Sequence, residues 1–362
     1  MKPDARISFE NDYATGCHPD VLAALIATND EATTGYGLDP YCEAARALIR
    51  EAIGVPDADV HFVVGGTQAN ALVADRVLRP WQGMLSAVTG HVNVHESGAI
   101  EATGHKVLVV DSIEGRLTAE GVDAYCRKHY DDPTAEHMVQ PGMIYISQPT
   151  ELGTLYSRRA LRELRAVADA WHLMLYIDGA RMASAIRAAT SDTDLGDIAE
   201  VADIFTIGGT KCGALFGEAI VVLREAYRED IRSLIKQHGA LLAKGRLLGV
   251  QFRALFEGGL YQRIGAHENR MGHRLAEGFR ANGFELAVPP VTNQIFVVMD
   301  PADAAEMAEL AVFERTDVRE DGMWVCRFVT SYATTPSMIE ALFMRWNARR
   351  HVPPPGPRSQ RS

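Results

Sequence analysis

Residues 205–213 read FTIGGTKCG, an apolar run that ends in a glycine-rich turn with a single lysine, Lys211. A second apolar run, LMLYI at residues 173–177, ends in Asp178. Both runs are short and apolar throughout, as expected for strands that are buried on both faces of a sheet. Ligands of open α/β sheets bind at the carboxyl ends of the strands. The sequence therefore predicts that Asp178 and Lys211 stand at a ligand site, each at the end of a buried strand.

The chemistry of these two side chains suits one cofactor. A lysine amine can form a Schiff base with an aldehyde, and an aspartate can keep a pyridine nitrogen protonated, as pyridoxal 5′-phosphate (PLP) requires. Burial lowers the pKa of a lysine and favours the neutral amine. Taken alone, Lys211 could be an exposed loop lysine and Asp178 could be a helix N-cap. The glycines on both sides of Lys211 favour close packing around a ligand.

Apolar, strand-like runs alternate with helix-like stretches through the first two thirds of the chain. The predicted strands are 60–64, 106–110, 143–147, 173–178, 203–207 and 219–223, and the predicted helices include 67–79 and 157–171. This alternation predicts a mostly parallel sheet covered by helices. Residues 225–281 have a helical, charged pattern, and strands at 284–299 and 324–329 are predicted on either side of a helix at 302–313.

The chain is predicted to divide into two domains, which lie between an N-terminal arm and a disordered tail. We expect an N-terminal arm (1–16), a large domain (17–244), a smaller C-terminal α+β domain (245–350) and a disordered tail (351–362). The tail prediction rests on its proline, arginine and serine content, which cannot form a packed core.

The turn that follows the run 60–64 is a candidate phosphate site. It contains Gly65, Gly66, Thr67 and Gln68 and leads into a predicted helix. Glycines let the backbone approach an anion, and a helix N-terminus offers free N–H groups and a partial positive charge. A glycine turn between a strand and a helix can also be a simple connection, so the motif is weak by itself.

Two histidines four residues apart, His91 and His95, are followed by Glu96. On a helix they would share a face, which raises a zinc hypothesis. No third ligand lies at a suitable spacing, so no metal site is predicted. The alternative is an imidazole that stacks on a flat cofactor ring and transfers a proton. We assign this role to His91, whereas a structural role suits His95 better.

Two arginines are candidates for binding an anion. Arg181 follows Asp178 by three residues and could serve a phenolate oxygen, a carboxylate or a surface ion pair. Arg327 lies within the apolar run 324–329, and an arginine in such a setting usually has an anionic partner. That partner could be a substrate carboxylate or an internal Asp or Glu.

Composition narrows the class of protein and its surroundings. The 362 residues carry a net charge of −11, which disfavours nucleic acid as the main partner. We find no apolar stretch of the length of a membrane helix and no apolar signal region near residue 1. The five cysteines are scattered and form no C-x-x-C pair. A cytoplasmic protein without a disulfide framework is therefore expected.

Seven segments that span most of the chain occur in the order known for one enzyme family: 36–41, 65–70, 91–99, 150–156, 177–181, 208–214 and 327–331. Together they resemble the threonine aldolase / β-eliminating lyase family of PLP enzymes. The resemblance implies the α/β, PLP-dependent transferase-like fold type I. That fold has a mostly parallel, seven-stranded-type sheet covered by helices and a smaller C-terminal α+β domain.

The resemblance also implies roles for the candidate residues. Lys211 would form the internal aldimine with PLP, Asp178 would contact the pyridinium nitrogen, and His91 would stack on the ring. Gly66, Thr67 and Gln68 would hold the phosphate, while Arg181 and Arg327 would bind the carboxylate of an amino-acid substrate. Because members of this family form dimers or tetramers, a homodimer or homotetramer with shared active sites is expected. Lys236 and Lys244 would then reach the phosphate of the neighbouring subunit.

Two positions depart from the family pattern, so we expect an altered substrate pocket. Asn11 replaces a substrate-facing serine, and Cys212 stands where asparagine is common. The reaction implied is retro-aldol cleavage of L-threonine or L-allo-threonine to glycine and an aldehyde. His91 or a water that it orients is the favoured base, and His95 and His137 are weaker candidates. The alternatives are β-elimination or transamination of another amino acid, and a non-catalytic PLP-binding protein.

Overall fold

The computed structural model of the protein describes residues 6–350 and has an α/β architecture. The strands are β1 (Ile7–Ser8), β2 (Asp59–Val63), β3 (Gln82–Ala87), β4 (Lys106–Val110), β5 (Gln140–Ser147), β6 (Met174–Asp178), β7 (Ile204–Gly208), β8 (Glu218–Val222), β9 (Glu285–Leu286), β10 (Gln294–Met299), β11 (Ala311–Val312), β12 (Glu314–Val318) and β13 (Trp324–Val329).

The helices surround these strands. They are α1 (Pro19–Ala27), α2 (Pro40–Ile53), α3 (Gly66–Val77), α4 (His91–Val94), α5 (Ala99–Ala102), α6 (Ala119–Tyr130), α7 (Arg158–Ala170), α8 (Met182–Ile186), α9 (Leu195–Val201), α10 (Ile231–Gln237), α11 (Arg246–Phe256), α12 (Leu260–Ala281), α13 (Pro301–Ala308) and α14 (Pro336–Arg350). Short 3₁₀ helices lie at Ala135–His137, Glu225–Tyr227 and Glu257–Gly259. Within residues 6–350, no helix combines the length and the apolar character needed to span a membrane.

The large sheet has seven strands in the order β2-β8-β7-β6-β5-β3-β4. All its neighbouring pairs are parallel except those made by β8, which runs antiparallel to both β2 and β7. The start of β8 therefore lies at the same edge as the carboxyl ends of the other strands. Helices cover both faces, and two apolar clusters fill the space between the helices and the sheet. The α/β fold with a mostly parallel sheet is confirmed.

One strand of this sheet, β3, was missed by the sequence pattern. It lies between β5 and β4, but Gln82, Gly83 and Ser86 interrupt its apolar character. A Cβ atom at residue 83 would lie 2.6 Å from the carbonyl oxygen of Lys106. The glycine that weakens the apolar pattern is therefore needed for β3 to pair closely with β4. By contrast, β4 has the bounds that the sequence predicted.

The C-terminal region differs in detail from its prediction. The single strand expected at 284–299 is two antiparallel strands, β9 and β10, because Pro289 and Pro290 interrupt the run. The helix expected at 302–313 ends at Ala308, and the residues after it form β11 and β12. Strands β12-β13-β10-β9 make a four-stranded antiparallel sheet.

The domain division predicted at residue 245 stays a prediction, but the packing around it is defined. Helix α11 packs on α1 and α2, and its apolar side chains belong to the core of the large sheet. Helix α12 contributes Ile264 to that core and Leu275 to a third apolar cluster beneath the four-stranded sheet. Strand β1 pairs with β11, and Phe9 is buried in the third cluster. The predicted tail, 351–362, lies outside the described residues.

Candidate active site

A cavity of about 360 Å³ opens at the carboxyl edge of the large sheet. Three predicted segments meet there: Asp178 at the end of β6, Lys211 in the turn after β7, and Gly66 with Thr67 in the turn after β2. His91 and Arg181 also line this cavity. Six residues that the sequence singled out, from four separate stretches of the chain, thus lie at one site.

Lys211 is the candidate nucleophilic amine of the cavity. Burial is the largest influence on it, and burial together with the nearby Arg181 guanidinium lowers the pKa of Lys211 below its ordinary value. Asp12, Asp178 and Glu218 act in the opposite direction, since their negative charges favour the ammonium form. The neutral, nucleophilic amine is therefore more accessible here than on an exposed lysine.

Asp178 is a buried carboxylate whose orientation is fixed by three donors. The Nδ2 atom of Asn70 donates to Oδ2 at 3.1 Å, and the hydroxyl of Tyr145 donates to the same oxygen at 2.8 Å. The backbone N–H of Ala180 donates to Oδ1 at 2.9 Å. These three hydrogen bonds fix the orientation of the carboxyl group, which lines the cavity.

The N-terminus of α3 forms the candidate phosphate seat. The helix begins at Gly66, and no side chain caps it. A Cβ atom at residue 65 would meet nothing within 4 Å, so there is open space in front of the turn. The free N–H groups and the helix dipole suit a phosphate at this point. Gln68 differs from its neighbours, because its Oε1 accepts from the N–H of Val64 at 3.2 Å and the residue does not line the cavity.

His91 is connected to Asp178 by a chain of buried polar groups. Its Nδ1 lies 2.7 Å from Oε1 of Glu96, which is buried. The same oxygen accepts from Nδ2 of Asn70 at 2.7 Å, and Asn70 in turn donates to Asp178. The imidazole is a third exposed. With Nδ1 held by a carboxylate, Nε2 is the ring atom that can exchange a proton.

The other two histidines considered as bases are less suitable. The ring of His95 lies 5.6 Å from that of His91 but does not line the cavity. Burial and His91 lower the pKa of His95. His137 is 73% exposed and precedes β5, whose far end, Ser147, lines the cavity. The eight residues of β5 separate the two ends by about 25 Å, so His137 is at the wrong edge of the sheet.

Arg181 is held in a buried ion pair with the N-terminal arm. Its Nε donates to Oδ2 of Asp12 at 2.6 Å and its Nη2 donates to Oδ1 at 3.1 Å. Nδ2 of Asn293 also donates to Oδ2 of Asp12, at 2.9 Å. Burial alone would raise the pKa of Asp12, but Arg181 and these bonds hold that pKa below its usual value. The pair links the arm to the edge of the cavity.

We expect Asp12→Asn to lower the free energy of unfolding by about 3 kcal/mol, because Arg181 would then be buried without a counter-charge. Urea denaturation monitored by circular dichroism measures this loss. Asp20→Asn is the control, since the Asp20 side chain is 66% exposed, and it should change stability by no more than about 0.5 kcal/mol. Equal stabilities of Asp12→Asn and the unmodified protein would contradict a structural role for the pair.

Arg327 lies outside the cavity wall and is bound to Glu314 on the neighbouring strand β12. Its Nε is buried and has no hydrogen-bond partner among the described residues. Burial and the Arg181 guanidinium lower the pKa of Arg327, so the two cations lie within electrostatic range of each other. Of the two partners that the sequence allowed for Arg327, the structure thus shows an internal acid, Glu314. The Nε–H of Arg327 is still available to a further acceptor.

The two positions that depart from the family pattern do not line the cavity. Oδ1 of Asn11 accepts from the N–H of Tyr13 at 3.0 Å, and it is Tyr13 that faces the cavity. Cys212 is buried, and its Sγ lies 3.8 Å from the carbonyl oxygen of Ala180. The expected change in the pocket therefore concerns Tyr13 rather than Asn11 or Cys212 directly.

Several residues of the site carried no role in the sequence analysis. They are Asp12, Asn70, Glu96, Tyr145, Glu151 and Glu218. Asn70 and Glu96 lie within segments that carried the resemblance, and the four-residue spacing of Asn70 from Gly66 places it one turn after the start of α3. Asp12 adjoins Asn11. For Glu218, the sequence feature that could have pointed to the site is its position directly before an apolar run.

The residues present fit a phosphorylated pyridine aldehyde. The uncapped helix N-terminus suits the phosphate, the Lys211 amine suits the aldehyde, and the Asp178 carboxylate suits a protonated ring nitrogen. A metal centre lacks comparable support, since residues 6–350 contain no group of three or more His, Cys, Asp or Glu side chains placed to hold an ion.

Comparison with known sequences gives matches along most of the chain. The sequence profile described as "Beta-eliminating lyase" matches residues 9–302. The low specificity L-threonine aldolase of Pseudomonas aeruginosa is 30% identical over 339 residues, which cover 92% of this chain and 95% of the relative. The protein of the same name from Pseudomonas sp. is 30% identical over 304 residues, covering 83% of this chain and 86% of the relative.

Solved structures with the same architecture include a threonine aldolase. The Leishmania major threonine aldolase superposes with a TM-score of 0.91 at 39% identity, covering 95% of this chain and 99% of that one. Aspartate aminotransferase of Thermus thermophilus superposes with a TM-score of 0.69 at 14% identity, covering 96% of this chain and 92% of that one. The second likeness concerns the fold alone. Together they confirm the predicted fold class.

Proposed function

The chain belongs to the beta-eliminating lyase family, and on that premise we propose that it is a PLP-dependent aldehyde-lyase. Its substrates are β-hydroxy-α-amino acids, L-threonine and L-allo-threonine among them, and its products are glycine and an aldehyde. The observation that carries the proposal is the meeting of Lys211, Asp178 and the uncapped N-terminus of α3 in one cavity.

The cofactor is held by groups at three points of the cavity. Lys211 would bind the aldehyde of PLP, the Asp178 carboxylate would accept a hydrogen bond from the protonated ring nitrogen, and Gly66 and Thr67 would offer backbone N–H groups to the phosphate. Asn70 and Tyr145 keep the Asp178 carboxylate aimed at the cavity. When bound, PLP supplies the electron withdrawal from the substrate Cα that the cleavage needs.

His91 is the proposed base for the β-hydroxyl proton, directly or through a water molecule. The Glu96 carboxylate accepts a hydrogen bond from Nδ1 of His91, so Nε2 is the ring nitrogen that can take the proton. The backbone N–H of His91 donates to Oε1 of Glu151 at 2.9 Å, which fixes the start of α4 at the cavity wall. Stacking of the imidazole on the cofactor ring is compatible with its place in that wall.

Glu96→Gln is expected to lower kcat by about 10- to 100-fold with little change in KM, because His91 loses the carboxylate that holds Nδ1 and keeps Nε2 oriented for proton transfer. Steady-state kinetics with L-threonine separate the two constants. Glu101→Gln, at an exposed position of the adjacent helix α5, is the matched control and should leave kcat unchanged. A rise in KM at constant kcat would assign Glu96 to binding rather than to proton transfer.

The substrate carboxylate is proposed to bind at Arg181 and Arg327, with Asn11 supporting the loop that carries Tyr13. The buried, unpartnered Nε of Arg327 and its electrostatic proximity to Arg181 support a shared anion site. A carboxylate fixed there would orient the Cα–Cβ bond. Gln68 is proposed to help hold the phosphate indirectly. Its side chain accepts from the N–H of Val64 and so stabilises the turn whose backbone would contact the phosphate.

Cleavage of L-threonine and L-allo-threonine is the direct test of the reaction. PLP-loaded protein should release glycine and acetaldehyde from at least one of the two amino acids, measured by amino-acid analysis and an alcohol dehydrogenase-coupled assay. If neither product forms, retro-aldol cleavage is wrong. Release of pyruvate and ammonia from serine or cysteine derivatives would then favour the β-eliminating alternative.

The assembly is proposed to be a homodimer or homotetramer with active sites shared between subunits. Lys236 lies with its Nζ 4.9 Å from the centre of the Tyr36 ring, and neither Lys236 nor Lys244 lines the cavity of its own chain. Exposed apolar side chains at Leu38 and Leu215 support burial against a second copy. Size-exclusion chromatography with light scattering measures the mass, and a monomer would contradict the proposal.

The proposed location is the cytoplasm. All five cysteines are free, and four of them are buried, which suits a reducing compartment.

A further inference from the structure

A second chain of polar groups joins Asp178 to another carboxyl group of the cavity. Tyr145 and Ser147 stand two residues apart on β5, so their side chains lie on one face of the sheet. Ser147 is also the β5 residue that pairs with Asp178 of β6. Glu151 follows in the turn after β5. Asp178, Ser147 and Glu151 all line the cavity.

Three oxygen–oxygen contacts make this chain continuous. Oη of Tyr145 lies 2.8 Å from Oδ2 of Asp178 and 3.1 Å from Oγ of Ser147. Oγ of Ser147 lies 2.6 Å from Oε1 of Glu151. Within residues 6–350, the two hydroxyl groups make no hydrogen bond outside this chain. The two carboxyl groups are therefore joined end to end through two hydroxyl groups.

The number of hydrogens in the chain indicates its protonation. If both carboxyl groups are ionised, Tyr145 donates to Asp178 and Ser147 donates to Glu151, and no hydrogen remains for the contact between the two hydroxyl groups. A third hydrogen would fill that contact, and a protonated carboxyl group at one end of the chain can supply it. The three contacts together thus indicate that Asp178 and Glu151 hold one proton between them.

Glu151 is the end of the chain that suits this proton. Burial is the largest influence on its carboxyl group, and burial together with the Asp178 charge raises the pKa of Glu151. Hydrogen bonds from Ser147 and from the backbone N–H of His91 act in the opposite direction without reversing that shift. The His91 imidazole is engaged elsewhere, because its Nδ1 lies 2.7 Å from Oε1 of Glu96.

The remaining titratable groups near Glu151 do not supply a positive charge to it. Tyr145 and Tyr156 are buried phenols, and burial raises the pKa of both hydroxyl groups, which keeps them neutral. Arg116 lies within electrostatic range of Tyr156, but its guanidinium is paired with Glu114 at 2.7 Å. An ionised Glu151 would therefore have no ion-pair partner in the described part of the chain, which is costly for a buried carboxylate.

We propose that Ser147 and Tyr145 relay a proton between Glu151 and Asp178, and that Glu151 holds this proton when the site is at rest. The proton passes from Oε1 of Glu151 to Oγ of Ser147, the Ser147 hydrogen passes to Oη of Tyr145, and the Tyr145 hydrogen passes to Oδ2 of Asp178. Each hydroxyl group loses one O–H bond and gains another, and the net charge of the chain stays −1. The reverse sequence returns the proton to Glu151.

The relay keeps a negative charge available at Asp178. With the proton on Glu151, every hydrogen of the chain points towards Asp178, and Tyr145 donates to an ionised carboxylate. A protonated ring nitrogen needs this form of Asp178 as its partner, so the inference rests on the proposed function. Glu151 acts on Asp178 through Ser147 and Tyr145 and is therefore a positioning residue.

Infrared spectroscopy of the full chain after removal of PLP detects the proton directly. A protonated carboxyl group gives a C=O band that shifts in D₂O, and ¹³C labelling of glutamate moves this band only if it comes from a Glu residue. The unmodified protein at neutral pH should show one such glutamate band that is lost in Glu151→Gln. Other buried glutamates, such as Glu218 and Glu268, contribute to both spectra and cancel in the difference.

Further variants test the path between the two carboxyl groups. Tyr145 makes no hydrogen bond with Glu151, yet Tyr145→Phe should shift the Glu151 band, because Ser147 loses its partner in the chain. Tyr176→Phe is the matched control and should leave the band unchanged, since Tyr176 is the equally buried neighbour on β6 and donates to Asn70 instead. Ser147→Ala should shift the band, whereas Ser147→Thr keeps the hydroxyl group and should restore it.

Three results would overturn the inference. The first is that no glutamate band is lost in Glu151→Gln, and the second is that Tyr145→Phe and Tyr176→Phe affect the band equally. The third is a band that responds to Ser147→Ala but not to glutamate labelling, which would place the proton on Asp178. If Glu151→Gln fails to fold, the glutamate band that responds to Ser147→Ala identifies Glu151, because Ser147 is hydrogen-bonded to no other Glu within residues 6–350. Absence of any such band would equally contradict the proposal.

These outcomes are separate from the fate of the proposed function. If PLP does not bind covalently to Lys211, the infrared spectra of the PLP-free protein still report on the chain from Glu151 to Asp178. If PLP binds to Lys211 and no Glu151 band is found, the proposed function stands and the relay is wrong.

Discussion

Lys211→Ala is expected to lower kcat/KM with L-threonine by about 10⁴-fold or more, because removal of a covalent catalytic group eliminates a whole pathway rather than one contact. The protein should also lose the yellow colour that comes from covalently bound PLP. The loss should occur without unfolding, since the lysine is partly buried in a cavity and makes no ion pair within the described residues. Steady-state kinetics and absorption spectra measure the two effects.

Lys128→Ala is the control for this prediction. Lys128 is an exposed lysine of α6, and its removal should leave colour and activity unchanged. Retention of substantial activity by Lys211→Ala would mean that another amine or another chemistry operates in the cavity.

Asp178→Asn should lower kcat/KM by about 10²- to 10³-fold, the equivalent of losing one buried charge partner. The substitution keeps the shape of the side chain but removes the negative charge that stabilises a protonated ring nitrogen. The amide nitrogen of the new asparagine would also meet a hydrogen-bond donor in either orientation. At the Oδ2 position it would face Asn70 and Tyr145, and at the Oδ1 position it would face the N–H of Ala180. PLP affinity should therefore fall together with the rate.

Absorption titration with PLP and steady-state kinetics check both parts of this prediction. Asp131→Asn, an exposed position after α6, is the matched control and should behave as the unmodified protein does. If Asp178→Asn bound PLP and turned over L-threonine normally, Asp178 would have no electronic role, and its buried position would need another explanation.

The sequence predicted the framework of the site well because that framework depends on strand ends. Uniform apolar runs predicted β4, β6 and β7, and the residues that follow β6 and β7 had to lie at one edge of a parallel sheet. Strand β3 escaped prediction because its polar and glycine positions serve close packing rather than burial of side chains. The need for glycine at position 83 can be recognised only once the position of the neighbouring strand β4 is known.

Side-chain direction was the part that sequence could not supply. Cys212 adjoins Lys211 in the chain, but its sulfur lies near the Ala180 carbonyl and outside the cavity wall. Asn11 was singled out by its departure from a pattern, whereas its neighbours Asp12 and Tyr13 make the contacts with Arg181 and the cavity. Adjacent residues in a turn point in different directions, and a one-residue difference decides which of them reaches a ligand.

Polar partners that lie far apart in sequence were equally hidden. Asn70 joins Asp178 to Glu96, and Glu96 holds His91, although these four residues come from three separate segments. Each has an ordinary alternative role when taken singly. Their function as a connected group follows only from the distances between them.

The most direct test of the account is to find the residue that binds PLP. The protein is loaded with PLP, reduced with sodium borohydride, digested, and analysed by mass spectrometry. The account predicts a single PLP-modified residue, Lys211. Modification of a different lysine, or no modified peptide from protein that has been saturated with PLP, would contradict it.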